Sequence, residues 1–291
     1  MESNDSYQSY MREAFQEAKR SLQTGNKGFG AVMVKGGGVI ARAHDTEETD
    51  QDPTAHAEMK AIREASRLFG KDLAGCVLVS THEPCPMCAT ATVWAKVSTL
   101  VYGYGIKDAL EQGRRRIDLG CREIVQRAGA ATEVVSGVLR DECAKLYAED
   151  IREHVKRFLG MDREKARGLE AELLAKRLRW LRENPHVLEG LTGDDLDQAY
   201  QLLCLKLGIG AGEAPVVEKS GRRIVFHSGN YCPSLEACKL LDLDTSEVCR
   251  WVYEKPTEAL VQGINPRLRF SRSYHKLRPA AGYCEEYFYL E

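Results

Sequence analysis

Two short stretches carry the residue types that do chemistry: Pro53-Thr54-Ala55-His56-Ala57-Glu58 and Glu83-Pro84-Cys85-Pro86-Met87-Cys88. They offer one imidazole (His56), two thiols (Cys85 and Cys88, at C-x-x-C spacing) and one carboxylate (Glu58). An imidazole and two thiolates are three protein ligands for Zn2+, which leaves a tetrahedral ion one open position for water. Water held there ionises near pH 7 and can attack an electron-poor carbon. Glu58 is not needed as a ligand and is well placed to move protons beside the metal. A lone C-x-x-C could be a redox pair or half of a zinc ribbon. The chain has no second C-x-x-C for a ribbon, and a redox pair does not require an upstream His-x-Glu.

These phrases and their order form the H-x-E…P-C-x-x-C signature of zinc deaminases. Residues 3–160 resemble the cytidine-deaminase-like superfamily, in the branch that holds guanine deaminases and tRNA adenosine deaminases. The resemblance implies His56, Cys85 and Cys88 as zinc ligands, Glu58 as proton shuttle, and a homodimer. In that branch an Asn that contacts the substrate base usually stands where this chain has Asp45. An ionised Asp only accepts hydrogen bonds, so the base edge facing it is expected to present N–H groups; the other reading of Asp45 is a solvated loop acid. Phe29, Ala57, His82 and Pro84 join Asp45 as expected substrate contacts, with His82 shaping the pocket rim.

The elements that must position these residues are legible in outline. Tyr7, Met11, Phe15, Ala18 and Leu22 form a helical stripe. Phe29–Val34 and Val39–Ala43, split by Lys35 and three glycines, read as a hairpin. Helices are expected over 54–69, with Thr54 as cap, and over 85–97, 117–128 and 139–159. Strands are expected over 76–80, 99–104 and 132–136. Strands alternating with helices after a hairpin predict a three-layer α/β sandwich for residues 1–160. A basic cluster, Gly113-Arg114-Arg115-Arg116, precedes the 117–128 helix. Cys76, Cys121 and Cys143 sit among apolar neighbours and read as core thiols.

Beyond Gly160 the composition changes. Residues 161–183 read as a charged helical linker, and 184–291 as a second, mostly helical α+β domain that is rich in cysteine. The spacings of Cys204, Cys232, Cys238, Cys249 and Cys284 match no metal signature. The stretch from Asn265 to Arg278 sets Arg267, Arg269 and Arg272 among Phe270 and Tyr274 without an acidic residue. Such a pattern can hold RNA by phosphate contact and stacking, clamp another anion, or pair with an acidic surface.

The chain has 291 residues, 43% of them hydrophobic and 29% charged, with a formal net charge of −2. That balance is not the footprint of a protein made mainly to grip phosphates. The polar start has no apolar signal core, and no run reaches the ~20 apolar residues of a membrane span, so the expected location is cytoplasmic with reduced thiols. The expected activity is hydrolytic deamination of a nucleobase or nucleoside, with a guanine-type base first and cytosine, adenine-type and triazine bases open. Two alternatives stand beside it. One is an adenosine deaminase acting on tRNA through the C-terminal basic stretch. The other is a non-catalytic ligand-sensing or interaction protein, which would have no use for Glu58.

Overall fold

The computed structural model describes residues 4–210 and 212–291, and the chain divides into two compact units, one ending at Leu159 and the other beginning at Gly160. In the first unit, α1 (Asn4–Gln23) leads into a hairpin of β1 (Gly30–Lys35) and β2 (Gly38–His44). There follow α2 (Glu47–Asp50), α3 (Ala57–Phe69), β3 (Cys76–His82), α4 (Pro86–Trp94), β4 (Thr99–Tyr104), α5 (Ile106–Glu111) and α6 (Cys121–Arg127). The unit closes with β5 (Glu133–Ser136), α7 (Arg140–Ala144) and α8 (Glu149–Phe158). The sheet order is β2-β1-β3-β4-β5, with β3, β4 and β5 parallel and β1 antiparallel to both its neighbours. Gly36 and Gly37 make the hairpin turn at φ 57° and 78°, where residues with a Cβ are strained.

The expected α/β sandwich is present. Alternation along β1 sends Ala31 and Met33 into a core with Ala61, Ile62 and Ala65 of α3 and Ala89 of α4, while the intervening Val32 and Val34 are buried on the other face. On β1, α1 lies close to Gly30. A Cβ there would stand 2.0 Å from the Ala14 carbonyl oxygen and 2.4 Å from the Ala18 nitrogen. Only glycine permits that approach, because neither atom can move without moving the helix. Gly30→Ala is expected to cost about 2–3 kcal/mol in denaturant unfolding of the first unit, in line with overpacked cores. A loss below about 0.5 kcal/mol would show that α1 shifts freely.

Three sequence expectations differ in detail. The 54–69 helix begins only at Ala57, because Asp52 Oδ1 accepts from both Thr54 N and Thr54 Oγ1 at 2.8 Å and holds that segment in a turn. The 117–128 helix begins only at Cys121, after its N-cap Gly120. The 139–159 helix is broken into α7 and α8, with Tyr147 of the break fully buried and its hydroxyl 2.9 Å from Thr81 Oγ1. Cys76, Cys121 and Cys143 are buried, as core thiols should be.

The second unit contains α9 (Arg163–Glu183), α10 (His186–Glu189), α11 (Asp195–Leu207), β6 (Val216–Lys219), β7 (Arg223–Ser228), α12 (Pro233–Leu241) and α13 (Thr245–Val248). A π-helical turn over Cys249–Tyr253 runs into α14 (Glu254–Val261), and β8 (Leu268–Arg272) and β9 (Cys284–Leu290) complete it. The antiparallel sheet β6-β7-β9-β8 packs Phe226, Phe270 and Phe288 against Ala199 and Leu203 of α11 and Val261 of α14. The segment read as a linker is α9, which belongs to this unit. Its Ala166, Leu169 and Arg177 are buried, and Arg177 donates to Thr257 of α14. No helix among the described residues is long and apolar enough to cross a membrane.

Candidate active site

The segments that follow β2 and β3 carry the chemistry, His56 and Glu58 after the first and Cys85 and Cys88 after the second, at the C-terminal end of the sheet as α/β topology favours. Cys85 caps α4, and Pro86 takes the first helical position, where its missing N–H leaves no bond unmade. Cys88 follows one turn later with no solvent exposure. Opposite them, His56 caps α3 and Glu58 lies in its first turn. His56 Nδ1 stands 3.6 Å from Cys85 Sγ and 3.5 Å from Cys88 Sγ, and the two sulfurs are 3.6 Å apart. Zinc bonds of about 2.3 Å to sulfur and about 2.0 Å to nitrogen at tetrahedral angles require S···S of about 3.8 Å and S···N of about 3.5 Å. The donor set and its edges therefore fit the ion.

Glu58 lies outside the trio but beside it, with Oε2 at 3.6 Å from Cys88 Sγ, while Ser80 Oγ donates to Oε1 at 2.9 Å. Burial raises the Glu58 carboxyl pKa. Its hydrogen bond from Cys88 pulls the Cys85 thiol down to about 4, and that thiol in turn lifts His56 to about 9. Cys88, which gives its proton to that bond, is pushed up. Thiols and an imidazole this close give up protons to a metal that binds between them.

The other imidazole nitrogen is held from behind. Glu47 Oε2 lies 3.5 Å from His56 Nε2, and ligand atoms of Asp45, Glu47 and His56 fall within 4.8 Å of one another. A carboxylate behind a ligating histidine fixes ring orientation and tautomer. Asn26 Oδ1 accepts from Glu48 N and Thr49 N, both at 3.1 Å, and so anchors the start of the short helix that carries Glu47. Glu83 is buried too. Its Oε2 accepts from Ile106 N at 2.9 Å and its Oε1 from Cys121 N at 2.8 Å, so one carboxylate closes the first turns of α5 and α6.

A pocket of about 220 Å³ opens on the trio, lined by Lys27, Phe29, Glu47, His56, Glu58, His82, Glu83, Cys85, Ile106 and Arg116. Phe29 and His82 are thus where a substrate contact would be. His82 is a wall and not a rim: it is 3% exposed, packs edge-on against Phe29, Tyr104 and Tyr147, and burial lowers its pKa to about 4. Asp45, Ala57 and Pro84 are buried but do not line the pocket. Asp45 stands behind His56, with its Oδ2 lacking a hydrogen-bond partner and its pKa raised by burial.

The C-terminal basic side chains are engaged inside their own unit. Arg267 donates to the Glu291 carbonyl, Arg269 pairs with the Glu291 carboxylate at 2.6 Å, and Arg272 pairs with buried Glu286 at 2.6 Å. Tyr274 donates to Glu254 at 2.7 Å. Arg269 and Arg272, at least, are therefore neutralised within the unit rather than offered to an anion at its surface. Of the five cysteines in this unit Cys238 is buried and the others are half-buried, and none joins a metal-type cluster among the described residues.

The family model for the cytidine and deoxycytidylate deaminase zinc-binding region matches residues 4–104. The tRNA-specific adenosine deaminase of Bacillus subtilis is 40% identical over 151 residues, spanning 50% of this chain and 88% of that protein. The guanine deaminase of the same organism is 39% identical over 109 residues, covering 37% of this chain and 70% of that protein. A solved structure from work on A-to-I editing by tRNA:A34 deaminases is 32% identical, covers 47% of this chain and 98% of that one, and has a TM-score of 0.41. The chain belongs to the zinc-binding deaminase family of cytidine and deoxycytidylate deaminases, a family of C–N hydrolases that uses Zn2+.

Proposed function

We propose that the first unit hydrolyses the exocyclic amino group from a nucleobase or nucleoside, with His56, Cys85 and Cys88 holding the zinc. Bound there, zinc supplies Lewis acidity that makes water a nucleophile at neutral pH. The protein does the rest. Glu58 takes a proton from the attacking water, delivers one to the ring nitrogen and passes one to the departing amine, so that water is consumed, ammonia leaves and a keto base remains. Ser80 holds Glu58 in place, and Glu47 steadies His56. Phe29 and His82 give the base an apolar, uncharged wall. The observation that carries this reading is the carboxylate of Glu58 set at 3.6 Å from a donor sulfur yet outside the donor set.

The base we assign first is guanine-type. Cys85-Pro86-Met87-Cys88 followed by Val93-Trp94-Ala95 resembles guanine deaminases, and a 39% identical relative bears that name. A second reading, adenosine within RNA, is supported by the 40% identical tRNA-specific relative and no longer by the C-terminal arginines. The test is ammonia release by zinc-loaded full-length protein offered guanine, cytosine, adenosine and a tRNA anticodon stem-loop. Turnover of guanine alone supports the first reading, and turnover of the stem-loop alone supports the second. Release from none of them overturns both.

A further inference from the structure

The interior of the second unit holds more positive charge than its own acids match. Arg177 of α9 is 4% exposed, and among the described residues its side chain donates only to a neutral group, the Thr257 hydroxyl. No carboxylate among them pairs with it. Arg272 of β8 is met by Glu286, whose Oε1 accepts from Nε at 2.6 Å, but its Nη1 is buried without a partner. Both oxygens of Glu286 are in use, since Ser228 Oγ donates to Oε2 at 2.5 Å.

These groups are gathered at one place. Thr257 Oγ1 donates in turn to the Tyr253 carbonyl at 2.7 Å, and the Tyr253 hydroxyl lies 2.7 Å from Ser234 Oγ in the first turn of α12. Tyr253 ends the π-helical turn that opens at Cys249. Such turns are rare and frequent at functional sites. Burial first and the charge of Arg272 second bring Arg177 down to about 10, so it keeps its proton at neutral pH. Burial pushes the Cys249 thiol up to about 12 against the pull of Arg272, so it supplies no negative charge. Two guanidinium groups thus face the one buried carboxylate of Glu286, and one positive charge is left over. Burying that charge is costly unless an anion completes the set.

We infer that Arg177, with Arg272 Nη1 as a further donor, binds a small monocarboxylate in the interior of the second unit. The planar fork of a guanidinium matches carboxylate oxygens two at a time. The charge balance calls for a monoanion, since a phosphate dianion would replace one spare positive charge by a negative one. The site takes no residue from the first unit and stands or falls independently of the deaminase reading.

The experiment titrates the full-length protein in chloride-free buffer with sodium formate and sodium acetate, by calorimetry and by the NMR line width of the isotope-labelled probes. Sodium chloride and sodium phosphate at matched ionic strength are the comparisons. Saturable binding of both carboxylates is expected, with chloride and phosphate about tenfold or more weaker. Arg177→Met exchanges the cation for an apolar chain and should weaken the carboxylates by about tenfold or more. Glu286→Gln keeps a partner for Ser228 and adds one positive charge to the site, so it should tighten them. That second variant carries the test if Arg177→Met does not fold. Absence of saturable carboxylate binding to the unaltered protein overturns the inference, because a guanidinium with a purely structural role needs no ligand. Binding that Arg177→Met leaves unchanged, or that Glu286→Gln weakens, overturns it as well. So does chloride or phosphate held as tightly as the carboxylates.

Discussion

Glu58→Gln is expected to retain zinc and lose at least about a thousandfold in turnover. Positioned acid–base catalysis contributes about 10²–10⁴ in rate, and here one carboxylate serves several transfers in turn, which places the loss toward the upper end. Glutamine is nearly the same shape and can keep the Ser80 contact, so His56, Cys85 and Cys88 should stay where they are. The two halves of the result are measured separately, zinc by atomic emission on dialysed protein and turnover by ammonia release. A variant that deaminates at the normal rate would remove Glu58 from the mechanism. Loss of both zinc and turnover would show instead that the carboxylate is structural.

Cys88→Ser should strike the metal itself. The thiol is buried in the first unit, and a hydroxyl is a far poorer donor to zinc, so affinity should fall by more than about a hundredfold, the upper range for altering a mere second-sphere partner. The loss also reports on folding. An ion present at about a thousand times its dissociation constant stabilises the native state by about 4 kcal/mol. For a unit of this size that corresponds to a melting shift of about 8–16 °C between zinc-loaded and chelated protein. Scanning calorimetry should show this shift in the unaltered chain and little of it in Cys88→Ser. Undiminished zinc content in the variant would mean that the metal sits elsewhere, with Asp45, Glu47 and His56 as the group to test next.

The metal trio and its carboxylate were legible because each pair lies within one turn of a helix start, where spacing nearly dictates geometry. The hairpin was legible for a like reason, since consecutive glycines between β-branched runs allow little else. What supports the trio was not legible. Ser80, Glu47, Asn26 and Glu83 act through contacts across the fold, and nothing in their local sequence announces a partner. Asp45 stands where the resemblance expects a substrate contact, and its side chain is buried with its carboxylate beside Glu47 and His56, off the pocket lining.

The C-terminal stretch shows a different limit. Leu268-Arg269-Phe270-Ser271-Arg272 alternates as a strand should, and β8 is what it forms. Its arginines look free in the sequence because the acids that neutralise them, Glu286 and Glu291, are supplied from or just beyond β9. In the same way the 139–159 helix is interrupted where Tyr147 turns inward to the aromatic wall under the pocket. Charge along a chain is not charge on a surface, and helical periodicity yields to tertiary packing.

The two anchor points of Glu83 divide the labour of this site. The segment from Ile106 to Cys121 leaves and returns to one side chain of the thiol motif, like a handle fixed at both feet, and Arg114 and Arg116 ride on its span. The exposed residues between those two anchors can change without moving either foot, while Glu83 keeps the thiol motif tied to both helix starts.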